Sequence, residues 1–134
     1  MSQYSEYSCR KPATVDLIRA LFPDRTSSDD VEWVYRVIYD VDHYEGNSSI
    51  YFIQAESVNL IKVGRSINTD RRLVQLRLLS PVNLRIIGSV PGGPSEEVLI
   101  HSGLDYLRSH GEWFHATPML RRFIGLLSAR NAAQ

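Results

Sequence analysis

The chain carries a single cysteine, Cys9, which excludes an intramolecular disulfide and points to a cytoplasmic setting. No apolar run approaches the roughly 20 residues of a membrane helix. Residues 1–12 are polar and rich in Tyr and Ser, without the apolar stretch of a secretory signal. A His-Glu-x-x-His zinc-protease pattern is missing, and His110 and His115 stand too far apart from other donors to be chosen as ligands. What is present is ordinary for a globular chain: 134 residues, 43% hydrophobic and 22% charged, enough for one domain with its own core.

The net charge is zero, but its distribution is uneven. Residues 60–90 hold Lys62, Arg65, Arg71, Arg72, Arg77 and Arg85 against Asp70 alone. Residues 24–45 hold seven acids against Arg25 and Arg36. A basic segment of this kind is a footprint for an anionic partner. The other reading is that the two segments neutralise each other internally.

Residues 50–64 organise the rest. Ile50–Ala55 and Leu60–Val63 are apolar runs rich in β-branched and aromatic residues, and Glu56–Asn59 joins them, which predicts a β-hairpin. Its ends bring Tyr51 and Lys62 onto one face. Gly64 closes the second strand where a sharp turn or a close approach to the backbone is needed. An arginine-rich segment follows at once, and a phenol and an ammonium beside arginines suit phosphate.

The remaining elements follow from periodicity. Residues 13–22 predict a short helix stopped by Pro23. Ser27 and Ser28 precede Asp29 and Asp30 as a helix start, with Val31, Val34, Tyr35 and Ile38 on one face. A helix over Asp70–Leu79, capped by Asn68 or Thr69, puts Leu73, Leu76 and Leu79 on its inner face. Arg72 leans toward that face while Arg71 and Arg77 point away. A half-buried guanidinium needs a carboxylate or a phosphate. Val82–Val90 predicts a third strand. Pro91-Gly-Gly-Pro94 is a turn, and Ser95 caps a helix from Glu96 to about Ser109. Glu97, His101, Leu104 and Arg108 form one stripe on that helix. Glu96 and Glu97 both border its apolar face, and only Glu97 has a histidine at i+4, within reach of one ion or one water. A solvated surface pair is the competing reading. Gly111–His115 predicts a strand or buried turn, and Thr117 caps a last amphipathic helix. The expected fold is α+β: a three-stranded, mainly antiparallel sheet flanked by helices, with residues 1–48 as an arm and helical extension, 49–128 as the core and 129–134 as a tail.

Ser49-Ile-Tyr51 followed by Lys62-Val-Gly64 resembles the paired motif of the GIY-YIG nuclease superfamily. Arg72-Leu-Val-Gln-Leu76, Glu97-Val-Leu-Ile-His101 and Gly111-Glu-Trp-Phe114 are similar to the motifs of its phage-associated T5orf172 or Mug113-type branch, in order and spacing over about residues 49–125. The resemblance implies a metal-dependent endonuclease that hydrolyses phosphodiester bonds of DNA. Tyr51 would orient or deprotonate the attacking water. Lys62 replaces the second motif's tyrosine, as in that branch. Arg72 would stabilise charge on the phosphoryl group, Glu97 would hold one Mg²⁺ or Mn²⁺, and His101 would assist proton transfer or water positioning. Arg65, Arg71 and Arg77 would meet the nucleic-acid backbone, with Gly64 structural at the site. Ser49 departs from the usual glycine, and the asparagine that ends some sites of the superfamily has no counterpart here. The alternative is a DNA-binding or interaction module of the same fold without useful turnover. No membrane partner is expected, whereas a homodimer or a protein partner on the acidic N-terminal segment stays open, as does a role for that segment in masking the basic face.

Overall fold

A computed structural model describes residues 28–132 together with Ile18, Ala20 and Leu21. The expected arm over 1–12, most of the helix expected over 13–22, and the end of the tail lie outside the described residues. The chain runs α1 (Ser28–Asp42), β1 (Ser49–Ala55), β2 (Leu60–Ser66), α2 (Thr69–Leu79), β3 (Leu84–Pro91), α3 (Pro94–Gly103), a 3₁₀ turn (Asp105–Leu107), β4 (Arg108–His110), β5 (Trp113–His115) and α4 (Pro118–Ala132). Among the described residues no helix is long and apolar enough to cross a membrane.

The α+β architecture is as expected, but the sheet is larger: five strands in the order β3-β1-β2-β5-β4, every neighbouring pair antiparallel. Of the two additional strands, β4 starts in residues expected to end a helix near Ser109, and β5 forms within Gly111–His115, the segment expected as a strand or buried turn. That helix ends at Gly103, not near Ser109, and the Trp33 indole lies against its last residue. A Cβ there would stand 1.9 Å from Trp33 Cε2. Trp33 also donates from Nε1 to the Leu99 carbonyl at 2.8 Å and stacks on Phe123 with centroids 4.7 Å apart. Past this block the chain tightens into the 3₁₀ turn. It then pairs as β4 with β5, which docks on β2.

The hairpin forms as its composition predicts, in the register Tyr51↔Gly64 and Ile53↔Lys62. Its connection turns on Asn59, at φ 53°, a left-handed conformation that asparagine tolerates better than most residues. Strand alternation sends Ile50 and Phe52 to one side of the sheet and Tyr51, Ile53 and Ala55 to the other. The larger core joins Ile50, Phe52, Ile61 and Val63 to α1, α3 and α4. The smaller one joins Tyr51, Ile53 and Ala55 to Leu73 of α2 and Leu84 of β3. On α2, Leu73 is buried and Leu76 half-buried, but Leu79 is 84% exposed, since it ends the helix beyond the sheet.

Caps set the remaining boundaries. Asn68 accepts from Arg71 N at 3.0 Å and starts α2, and Thr117 Oγ1 accepts from Leu120 N at 3.2 Å at the head of α4. At α3 the cap is not Ser95. Gly93 takes that position, Pro94 is the first helical residue, and Glu96 Oε1 accepts from Gly93 N at 2.7 Å. The acidic helix α1 buries Val31, Val34, Tyr35, Val37, Ile38 and Val41 in the larger core. Its Asp42 meets Arg130 Nη2 of α4 at 3.0 Å, with both side chains under a tenth exposed. The ion pairs of the basic segment go elsewhere: Arg65 to Glu97, Lys62 to Glu112 and Arg85 to Glu56.

Candidate active site

The site is built where β1 and β2 run side by side. Tyr51 is 2% exposed, and its ring lies directly on Gly64 of the paired strand. A Cβ at residue 64 would fall 2.3 Å from Tyr51 Oη and 2.4 Å from Cζ. This is the close approach that requires glycine. Burial pushes the phenol above its ordinary range. A hydrogen bond and the charge of Arg72 work against that shift, while the charges of Glu112 and Glu97 add to it. Tyr51 thus shares its surroundings with a guanidinium from α2 and with two carboxylates.

Arg72 is half-buried, as its helical position predicts, whereas Arg71 and Arg77 are exposed. Its other polar neighbour is Gln75, whose Oε1 lies 3.5 Å from Arg72 Nη1. Lys62 shares a strand face with Tyr51, but its ammonium, on a side chain 12% exposed, meets Glu112 Oε1 at 4.0 Å and lies 5.5 Å from the Trp113 ring centroid. The cation acting on the phenol is therefore Arg72, and Lys62 works one strand position further along, on Glu112.

Capping gives Glu96 and Glu97 different surroundings. Glu96 is occupied at Gly93 N, while Glu97, in the same first turn of α3, faces the site with Arg65 Nε 3.9 Å from its Oε1. Burial raises the Glu97 carboxyl above the ordinary carboxylate range. The charge of Glu112 and a hydrogen bond to it raise it further, against the opposing pull of His101 and Arg65. One turn along, His101 Nε2 lies 2.8 Å from the Val63 carbonyl. A carbonyl only accepts, so Nε2 carries the proton and, in the neutral ring, Nδ1 keeps the lone pair. Arg108, expected on the same helical stripe, sits instead in β4, where it binds Asp105 Oδ1 at 2.9 Å and the Gly111 carbonyl.

The residue that sequence reasoning left without a role is Glu112. It occupies the turn between β4 and β5, after Gly111 at φ 54°. Its carbonyl accepts from Val63 N at 2.9 Å. One ligand atom from each of Glu97, His101 and Glu112 lies within 4.8 Å of the others. The signal was in the sequence, as the second residue of Gly111-Glu-Trp-Phe114, but nothing local ties that turn to α3.

The nucleic-acid candidates divide. Arg65 and Arg71 are exposed, and Arg65 reaches Glu97 at the site. Arg77 donates from Nε to the Leu84 carbonyl at 3.1 Å, so it also fastens α2 to β3.

No curated protein and no solved structure gives a significant match to the chain. A family model, that of the T5orf172 domain, matches residues 48–124, from the entry of β1 into α4. That span exceeds half of the chain and encloses Tyr51, Lys62, Arg72, Glu97, His101 and Glu112, and the chain accordingly belongs to the T5orf172 domain family, in the nuclease-associated GIY-YIG-like superfamily.

Proposed function

We propose that the protein is a divalent-cation-dependent DNA endonuclease. The observation that carries this reading is the convergence of Tyr51 from β1, Arg72 from α2 and Glu97 from α3 on one half-buried site. A binding module needs the positive charges; it has no use for carboxylates set among them.

Glu97 is the residue to hold Mg²⁺ or Mn²⁺. The donor set fits, because a carboxyl group pressed against a second one in a partly desolvated place is relieved by a cation. Such an ion, when bound, supplies Lewis-acid stabilisation of the phosphoryl oxygens. The chain's own groups do the rest. Arg72, half-buried beside Tyr51, is the group to donate to the negative charge that builds on the phosphoryl oxygens. Tyr51 orients the attacking water and takes its proton as the new P–O bond forms and the bond to the leaving sugar oxygen breaks. The neutral phenol that burial favours serves the orienting role, and the proton transfer grows as the phenolate becomes available. His101, anchored to Val63, and Lys62, beside Glu112, hold the surrounding charges in place. Arg65 and Arg71 offer backbone contacts that carry no sequence information of their own.

The test is cleavage of supercoiled plasmid by the full chain with Mg²⁺, Mn²⁺ or EDTA, beside Glu97→Ala and Arg72→Ala. Metal-dependent nicking or linearisation that falls by about 10²–10³-fold in either variant is the expected result. Salt-sensitive DNA retention without cleavage in any metal, unchanged in Glu97→Ala, would overturn it in favour of a DNA-binding module.

A further inference from the structure

We propose that Glu112 is a second carboxylate ligand of the cation at Glu97, so that Glu97, His101 and Glu112 form one site that prefers Mn²⁺ to Mg²⁺; this rests on the reading that the chain uses a divalent cation at Glu97.

The geometry is the first support. The three residues each bring one ligand atom within 4.8 Å of the other two, and all three are half-buried. Glu97 and His101 stand one turn apart on α3. Glu112 arrives from the far end of the sheet, on a turn fixed by the left-handed Gly111.

The charge arrangement is the second. Glu97 and Glu112 face each other, and their nearest cationic nitrogens stand at 3.9 Å (Arg65) and 4.0 Å (Lys62). Those are the long end of ion-pair distances, well beyond the roughly 2.7–2.9 Å of a charge-assisted hydrogen bond. Neither of these two cations is close enough to hold its carboxylate by such a bond.

The imidazole is the third. With Nε2 donating to the Val63 carbonyl, the ring is held in one orientation and one tautomer, with the lone pair on Nδ1. Metal-binding histidines are commonly held this way, by a carbonyl or carboxylate on the nitrogen that does not bind. Carboxylates suit Mg²⁺, Ca²⁺ and Mn²⁺ alike, and an added imidazole tips the balance toward Mn²⁺, a transition ion that accepts nitrogen more readily than Mg²⁺. Three protein ligands still leave positions for a phosphate oxygen and water.

The experiment is calorimetric titration of the metal-free full chain with MnCl₂ and with MgCl₂, without DNA, for the native chain, Glu97→Gln, Glu112→Gln and Glu112→Asp. Far-UV circular dichroism checks each variant's fold. One Mn²⁺ site tighter than Mg²⁺ in the native chain, weakened at least tenfold by Glu112→Gln as well as by Glu97→Gln, is expected. Native-like Mn²⁺ affinity in Glu112→Gln with loss in Glu97→Gln would overturn this inference and leave the proposed nuclease intact. Native protein that takes up no Mn²⁺ at millimolar concentration would overturn this inference, while the nuclease reading falls separately, on the plasmid assay. Should Glu112→Gln not fold, Glu112→Asp carries the test through the ratio of Mn²⁺ to Mg²⁺ affinity: a changed ratio supports Glu112 as a ligand, and an unchanged one removes it.

Discussion

The ring of Tyr51 fills the space that a side chain at residue 64 would need. One strand supplies the phenol and its neighbour supplies the vacancy in which the ring rests. Gly64→Ala therefore has to displace a phenol that is 2% exposed. The expected cost is about 1–3 kcal/mol, as for other overpacked interiors, with a drop of several degrees in Tm by calorimetry. Cleavage should fall by far more than that loss of stability explains, since the displaced atom is Tyr51 Oη. Wild-type activity in Gly64→Ala would separate Tyr51 from the chemistry.

The protonation of Tyr51 gives a pH dependence with a definite sign. Burial raises the phenol above its ordinary value, with Arg72 opposing, so the neutral form dominates at pH 7 and the phenolate fraction grows as pH rises. The log of the native cleavage rate in Mg²⁺ is expected to climb between pH 7 and pH 9. Tyr51→Phe should be at least about 10²-fold slower and lack the climb that belongs to the phenol. A flat native profile would assign Tyr51 to orienting water alone.

Arg71 and Arg77 were alike in the sequence and differ in the structure. Arg71 is exposed, whereas Arg77 is tied to the Leu84 carbonyl. Arg71→Ala should weaken DNA binding without changing Tm, and reduce the slope of log affinity against log salt by about 1. Arg77→Ala should weaken binding and lower Tm together. Fluorescence anisotropy over a salt series, beside thermal melts, separates the two.

The buried pair between Asp42 and Arg130 ties the acidic helix to the C-terminal one. Arg130→Met removes this partner from a carboxylate that is 6% exposed. A loss of about 3–5 kcal/mol is expected from urea unfolding. An unfolding midpoint equal to that of the native chain would show that α1 and α4 do not depend on the pair.

The readable parts of the sequence were those governed by neighbours along the chain. Alternation in 50–64 gives the hairpin and the shared face of Tyr51, Lys62 and Gly64, and the helical spacing around Arg72 gives its half-buried lean. The misread parts were decided at long range. The helix stops at Gly103, where Trp33 of a different helix packs, so the residues up to Ser109 were read as helix and β4 was missed, whereas β5 lies in the segment expected as a strand or buried turn. Glu97 was singled out in the sequence by its histidine at i+4, but the capping of Gly93 N that occupies Glu96 was visible only in the fold. Glu112 had no readable role because its meeting with Glu97 depends on β5 docking against β2.

Val63 is an aliphatic residue with nothing to offer a phosphate, yet its peptide groups touch both halves of the carboxylate site. Its N–H donates to the Glu112 carbonyl, and its carbonyl accepts from His101. The positions of the acid and the imidazole are thus referred to atoms that nearly every amino acid possesses. Isoleucine at 63 would keep both bonds and the buried apolar contact. Proline would delete the N–H and, with it, the common datum from which the two are measured. What residue 63 contributes to the site is thus its backbone, and the one amino acid that cannot stand in for it there is the one without an N–H.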